Sequence, residues 1–193
     1  MQFPVVLPLV AHPTAPDDAI RRVTTTVQPT AGGWTFEFRV EAGAGTLIVP
    51  PPVEPAVQPT DELWRHTCLE VFLSRDGGEA YREFNFSPSG QWAAYSFSST
   101  RQRDPAAEAG WRTRPAISFA PTSSGFTLRA TLAPSHLPAG PGVLRAGLSA
   151  VLETGSANRP ATCSYWALKH PAAQPDFHHR DTFALVLHAT DPA

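Results

Sequence analysis

Apolar and polar residues alternate with a period of two along most of this chain. Residues 34–41 read W-T-F-E-F-R-V-E, with Trp34, Phe36, Phe38 and Val40 on one face and Thr35, Glu37, Arg39 and Glu41 on the other. One face turned to water is the habit of antiparallel sheets. Residues 21–28, with Val23 and Val27 around three threonines, read as a preceding strand, and Gly32-Gly33 as the turn between the two. Residues 46–49 start another strand after a glycine break at Gly43 to Gly45. Residues 69–74, 81–87 and 91–98 predict a three-stranded meander, punctuated by Arg75-Asp76-Gly77-Gly78 and Ser87-Pro88-Ser89-Gly90. Within it Phe84 and Phe86 are expected to face the core. Trp92 and Tyr95, an odd number apart, must point to opposite faces. Strand patterns return at residues 116–120, 125–132, 144–153, 162–168 and 182–188. Residues 1–10 read as a loose start, and the polar stretch 101–114 as a loop or one helical turn.

About ten short strands with Pro, Gly, Asn and Ser between them predict an all-β protein, an antiparallel β-sandwich of jelly-roll type. The 21 prolines among 193 residues agree, since each removes a backbone donor and breaks long helices. The proline-rich stretch 50–59 reads as a stiff surface crossing rather than a linker, because the segment before it is too short for its own core. A single domain over 1–193 is expected, large enough to bury roughly 70% of its unfolded surface.

Charge and composition narrow the function classes. A net charge of −2 offers no basic excess for a phosphate backbone, so nucleic acid is not expected as a partner. No run of about 20 apolar residues is present, so a membrane is not expected either. The apolar N-terminus lacks a cationic start, and the expected location is the cytoplasm. Cys68 and Cys163 read as two reduced thiols, with a disulfide open if their strands adjoin. The chain carries no G-x-S-x-G, P-loop, H-E-x-x-H or C-x-x-C pattern.

Three segments concentrate unusual chemistry. In residues 61–73, Trp64, His66 and Glu70 gather at a strand start. An indole face suits the C–H face of a pyranose and a carboxylate accepts its hydroxyls, although Trp64 in the core with Glu70 as a surface charge fits the spacing too. Residues 83–95 are dense in aromatics, with Arg82, Glu83 and Asn85 needing partners or water. Residues 164–181 hold Trp166, Lys169, His170, Asp176, His178 and His179. Adjacent His178 and His179 point apart on an extended chain, so a metal would need His66 or His170 with Asp176 to converge on one of them, and no metal site is assigned. A polar loop with hydrogen-bonded histidines, or ligand recognition by Trp166, Lys169 or His178, are the alternatives. An acid–base enzyme would need Glu70 paired with Asp176 or Glu83 across one cleft.

The three patterns L-W-R-H-T-C-L-E-V-F-L, Y-R-E-F-N-F-S-P-S-G-Q-W-A-A-Y and S-Y-W-A-L-K-H-P-A-A-Q-P-D-F-H-H-R-D-T-F-A-L together resemble bacterial DOMON-like proteins related to family 9 carbohydrate-binding modules. The likeness spans about residues 20 to 188. It implies a non-catalytic module that binds a small saccharide or sugar-like metabolite between two tryptophans. Trp64, followed by acidic Glu70 on the next strand, matches the first, and Trp166 matches the second by its order in the chain. Glu70, Arg82 and Lys169 would then bind hydroxyls, with His66 and His178 nearby. No cofactor is expected. The resemblance also leaves heme open, through His66, Lys169, His170 or His178, since the one methionine is Met1.

Overall fold

The structure, a computed structural model, describes residues 4–44, 46–53, 59–108, 113–156 and 158–188. Its strands are β1 (Val5–Ala11), β2 (Ile20–Pro29), β3 (Trp34–Ala42), β4 (Cys68–Arg75), β5 (Tyr81–Phe86), β6 (Trp92–Ser99), β7 (Gln102–Arg103), β8 (Ala116–Thr122), β9 (Gly125–Leu132), β10 (Leu144–Ser156), β11 (Arg159–Ala167) and β12 (Leu185–Leu187). Two antiparallel sheets form the sandwich. One runs β1-β2-β3-β9-β8 and the other β7-β6-β5-β4-β10-β11, with β12 beside the start of β10. β1 joins them: it pairs with β2 over Val5 to Leu9, then with β11 at Val10 and Ala11.

The expected all-β sandwich is therefore present, and the alternation of β3 is its clearest cause. Trp34, Phe36, Phe38 and Val40 are all buried, facing Leu69, Val71, Leu73, Phe84, Phe86 and Leu148 of the other sheet. Glu37, Arg39 and Glu41 turn outward, where Glu37 pairs with Arg129 of β9. Phe84, Phe86 and Trp92 lie in this core as their spacing predicts, and Tyr95 lies on the opposite face.

Three expectations about elements need correction. Residues 5–11 form a strand despite Pro8, because over Val5 to Leu9 this strand pairs, among the described residues, with β2 alone, and a strand with one open edge tolerates a missing donor. Residues 46–49 contribute one bridge, Leu47 to Thr154, rather than a strand. The last pattern splits into a 3₁₀ turn at Arg180–Thr182 and the short β12. The stretch 101–114 divides into β7 and one helical turn, Pro105–Glu108, entered from Asp104, whose carboxylate accepts the Ala107 N–H. Residues 54–58 of the proline-rich crossing, Gly45 and residues 109–112 lie outside the described residues. Cys68 and Cys163 are both free thiols, on strands kept apart by β10. Among the described residues no helix is long and apolar enough to cross a membrane.

The sheet containing β4 is covered on both sides. β4 is buried from Cys68 through Ser74, so Glu70 and Phe72 are as enclosed as Leu69 and Val71. A second apolar cluster, Phe72, Tyr81, Ala93, Tyr95, Phe97 and Phe183, sits on the outer face, with Leu63 and Phe177 against it. The segment 168–184 folds over this face and is pinned by Phe183, which stacks on Phe72 at 5.7 Å. Gly147 makes the approach possible: a Cβ there would lie 2.7 Å from the Phe183 ring and 3.3 Å from the Thr182 carbonyl oxygen. Gly147→Ala should therefore destabilise the protein by about 1–3 kcal/mol through overpacking, read as a lower denaturation midpoint with an unchanged slope. An unaltered midpoint would mean that Phe183 is not fixed there.

Candidate functional site

Between the outer face of this sheet and its cover lies an open cleft of about 630 Å³. Its floor is set by strand parity. Glu70 and Phe72 come from β4, Glu83 from β5, Tyr95 and Phe97 from β6, Val151 from β10 and Tyr165 from β11. Its walls are Asp61, Glu62 and Trp64 on one side, the β6–β7 turn with Arg101 and Arg103, and Pro175, Phe177 and His178 of the covering segment. Trp64 sits in a 3₁₀ turn (Leu63–Arg65) with its indole 48% exposed at the rim. Glu62 and Arg101, the only non-glycine residues with positive φ among those described, both line this cleft. Backbone strain of that kind gathers at ligand sites.

The cross-strand register brings the polar groups together. Glu70 pairs with Asn85 on one side and Ser149 on the other, and Glu83 lies opposite Phe72. Glu70 is 3% exposed and its Oε2 accepts the Ser149 hydroxyl at 2.9 Å. Glu83 is 5% exposed and its Oε1 accepts the Asn85 amide at 2.8 Å. Burial, and then the negative charge of Glu83, push the Glu70 carboxyl up to about 8. Burial also raises Glu83 to about 7, against the opposing pull of Asn85, Arg101 and Arg103. Near neutral pH the pair therefore retains protons that exposed carboxyls would have lost.

His178 completes the floor. The Tyr81 hydroxyl accepts the Arg101 N–H at 3.0 Å and lies 2.7 Å from His178 Nδ1. Giving its own proton to Nδ1 leaves the hydrogen on Nε2, which faces Glu83 Oε2 at 3.6 Å. Phe72 and Phe97 meet the imidazole edge-on at 5.3 and 5.2 Å. This enclosure, then the Arg101 charge, lowers His178 to about 4, so it stays neutral. Tyr95 is held in its phenol form first by burial and then by Asp61, and the Arg103 guanidinium lies 4.6 Å from its ring centre.

Of the residues singled out from the sequence, Trp64, Glu70, Glu83 and His178 meet in the cleft, and Asp176 is not part of its lining. Trp166 does not. It occupies the inward parity of β11, is 8% exposed in the sandwich core, and donates its indole N–H to Ser164. Its neighbour Tyr165 takes the outward position. The two-tryptophan grip is thus corrected to one indole on the rim. Arg82 also has inward parity and donates to the Ser135 and Leu137 carbonyls, both at 2.9 Å. His66 is exposed and hydrogen-bonds Glu153 outside the cleft lining, and Lys169 is exposed away from it. Asp176 is engaged by Arg101 at 2.8 Å. His170 lies against the Val10 carbonyl and His179 receives the Asp181 N–H. Among the described residues no group of three or more His, Cys, Asp or Glu converges as a metal site.

Spacing in the sequence assigns Tyr95 to a face but not to a site, and it does not mark Asp61, Phe97, Arg101, Arg103, Tyr165 or Phe177 as site residues. A usable signal was present: residues 81–86 and 92–97 carry large rings at both parities, which marks a sheet buried on both faces.

No protein-family model and no curated protein matches the chain. Among solved structures, it is similar to a Bacteroides uniformis protein provisionally described as carbohydrate-binding. The match has a TM-score of 0.64 at 13% identity and covers 92% of this chain and 83% of that one. The two share a fold. A family 9 carbohydrate-binding module from Caldicellulosiruptor kristjanssonii, solved with cellotriose, matches at a TM-score of 0.45 and 9% identity over 75% of this chain and 64% of that one.

The buried acids give the site a pH signature. Glu70 and Glu83 have folded-state values above their unfolded ones, so the native state binds more protons, and stability falls as pH rises toward about 8. His178, lowered, acts in the opposite sense, but only between about 4 and its ordinary 6.5. The clean window is thus pH 6.5 to 8. There the unfolding free energy should fall by about 1 kcal/mol or more per pH unit, and Glu70→Gln should flatten the slope. Urea titrations across that window check it; an equal slope in the variant would contradict the raised Glu70.

Proposed function

We propose that this protein binds a saccharide or sugar-like polyol in the cleft, without transforming it. The observation that carries this reading is an indole exposed at the rim above a floor of buried carboxyl groups. An indole face covers the apolar C–H side of a pyranose, while Glu70, Glu83 and Asp61 offer acceptors to hydroxyls. A mostly apolar hollow with a few convergent polar groups is the usual form of a small-molecule site, and 630 Å³ is in the range such ligands occupy. The shared fold with a protein provisionally described as carbohydrate-binding supports the same reading.

One observation favours a second reading. Glu70 and Glu83 share the cleft and both titrate near neutrality, which is the equipment of acid–base chemistry on a glycosidic bond. Release of reducing ends from oligosaccharides, abolished by Glu70→Gln or Glu83→Gln, would establish it.

The binding reading is tested by a glycan array followed by calorimetry. Trp64→Ala should weaken the best saccharide at least about tenfold, or about 1.4 kcal/mol. Trp166→Phe, deep in the sandwich, should leave that affinity within about twofold once correct folding is confirmed. No saccharide binding at millimolar concentration, or full affinity in Trp64→Ala, would overturn the reading.

A further inference from the structure

The cleft floor holds two acids with no resident counter-charge. Glu70 and Glu83 are side chains more than nine-tenths buried, and no cation among the described residues hydrogen-bonds either one. Their partners are neutral: a serine hydroxyl, an asparagine amide and the imidazole of His178. Glu70 Oε1 takes no hydrogen bond among the described residues, and the buried Asn85 Oδ1 beside it has no partner either. The two arginines of the wall lie close enough to influence Glu83, yet their guanidinium groups are committed elsewhere. Arg101 binds Asp176 at 2.8 Å, and Arg103 binds Glu108 at 2.9 Å and approaches Asp61 at 3.9 Å.

Two buried acids escape the cost of a desolvated charge by keeping their protons, and a cation seated between them is what lets them ionise. A neutral hydroxyl brings one donor and no charge. A protonated primary amine brings three donors and a full positive charge in the space of one such group. The cleft also offers Tyr95, Phe97 and Tyr165 around the acids, and aromatic faces attract a desolvated ammonium.

We propose that the ligand carries a protonated primary amine that seats between Glu70 and Glu83. The ammonium follows from the acid pair. That its bearer is a sugar, making the ligand a hexosamine, rests on the saccharide reading above.

The experiment is calorimetric titration of the full chain at pH 7 with D-glucosamine, N-acetyl-D-glucosamine and D-glucose, each also as its β-1,4-linked dimer, and with ethanolamine. The amino sugar should bind at least about tenfold tighter than both neutral counterparts. Glu83→Gln, and the double change Glu70→Gln with Glu83→Gln, should bring it down to the level of glucose. If the three sugars bind alike, or the preference survives in the folded double variant, the amine proposal is overturned and the saccharide reading stands. If ethanolamine matches glucosamine while neutral sugars do not bind, the amine proposal holds and the saccharide reading falls. If nothing binds at millimolar concentration, both fall. Should the variants fail to fold, the comparison of the three sugars on the native chain still decides.

Discussion

Everything at the cleft depends on β4 being enclosed on both faces. A two-layer sandwich buries one face of each sheet and leaves the other to water. Here the inner residues Leu69, Val71 and Leu73 fill the shared core, while Glu70 and Phe72 lie under a second cover made by the turn around Trp64 and the segment 168–184. Phe183, admitted by Gly147 and stacked on Phe72, anchors that cover. The cover does not fill the space beneath it. The cleft is the unfilled part of this second layer, so its floor is a rigid sheet and its walls are loops. Loops carried on a rigid sheet are a suitable arrangement for placing side chains around a small ligand.

The same enclosure sets the electrostatics. Two carboxyls placed on a solvated sheet face would ionise normally, whereas under the cover they keep protons to about pH 8 and about pH 7. The imidazole of His178, gripped by Phe72, Phe97 and Tyr81, is driven the opposite way and cannot act as their counter-charge. Desolvation thus creates an acid pair without a resident cation. The hydrogen-bond chain from Arg101 through Tyr81 to His178 fixes the neutral ring with its N–H toward Glu83, so even this contact is a dipole rather than an ion pair.

The sandwich was legible because its signal is local. Alternation in residues 34–41, and glycine turns such as that after Arg75, are properties of neighbouring residues. The N-terminal strand escaped notice because Pro4 and Pro8 mask an edge that only tertiary pairing reveals. A minor part of the cleft could be read for a similar reason: Trp64 and Glu70 lie six residues apart, and Glu70 takes its face from the parity of Leu69 and Val71. Trp166 misled because chain order says nothing about face, and one position along β11 exchanges core for cleft. Arg101, Arg103 and Phe177 converge through a hairpin and a long covering loop, and no spacing in the sequence encodes that convergence.

A single rim indole changes what the site can discriminate. Two facing tryptophans would grip any flat ring with an apolar side, and selectivity among sugars would come from small differences in stacking. With Trp166 withdrawn into the core, a saccharide bound as proposed would be stacked from one side only and would have to find its remaining contacts on the floor. That floor includes enclosed acids, and Glu70 Oε1 takes no hydrogen bond among the described residues. Sites of this kind reject an analogue that lacks the matching donor far more strongly than an apolar pocket rejects one of the wrong size, because the unmatched polar group remains stranded. On the saccharide reading proposed above, selectivity would accordingly belong to the sheet and its acid pair, with the exposed indole serving chiefly to bring the ligand down onto them.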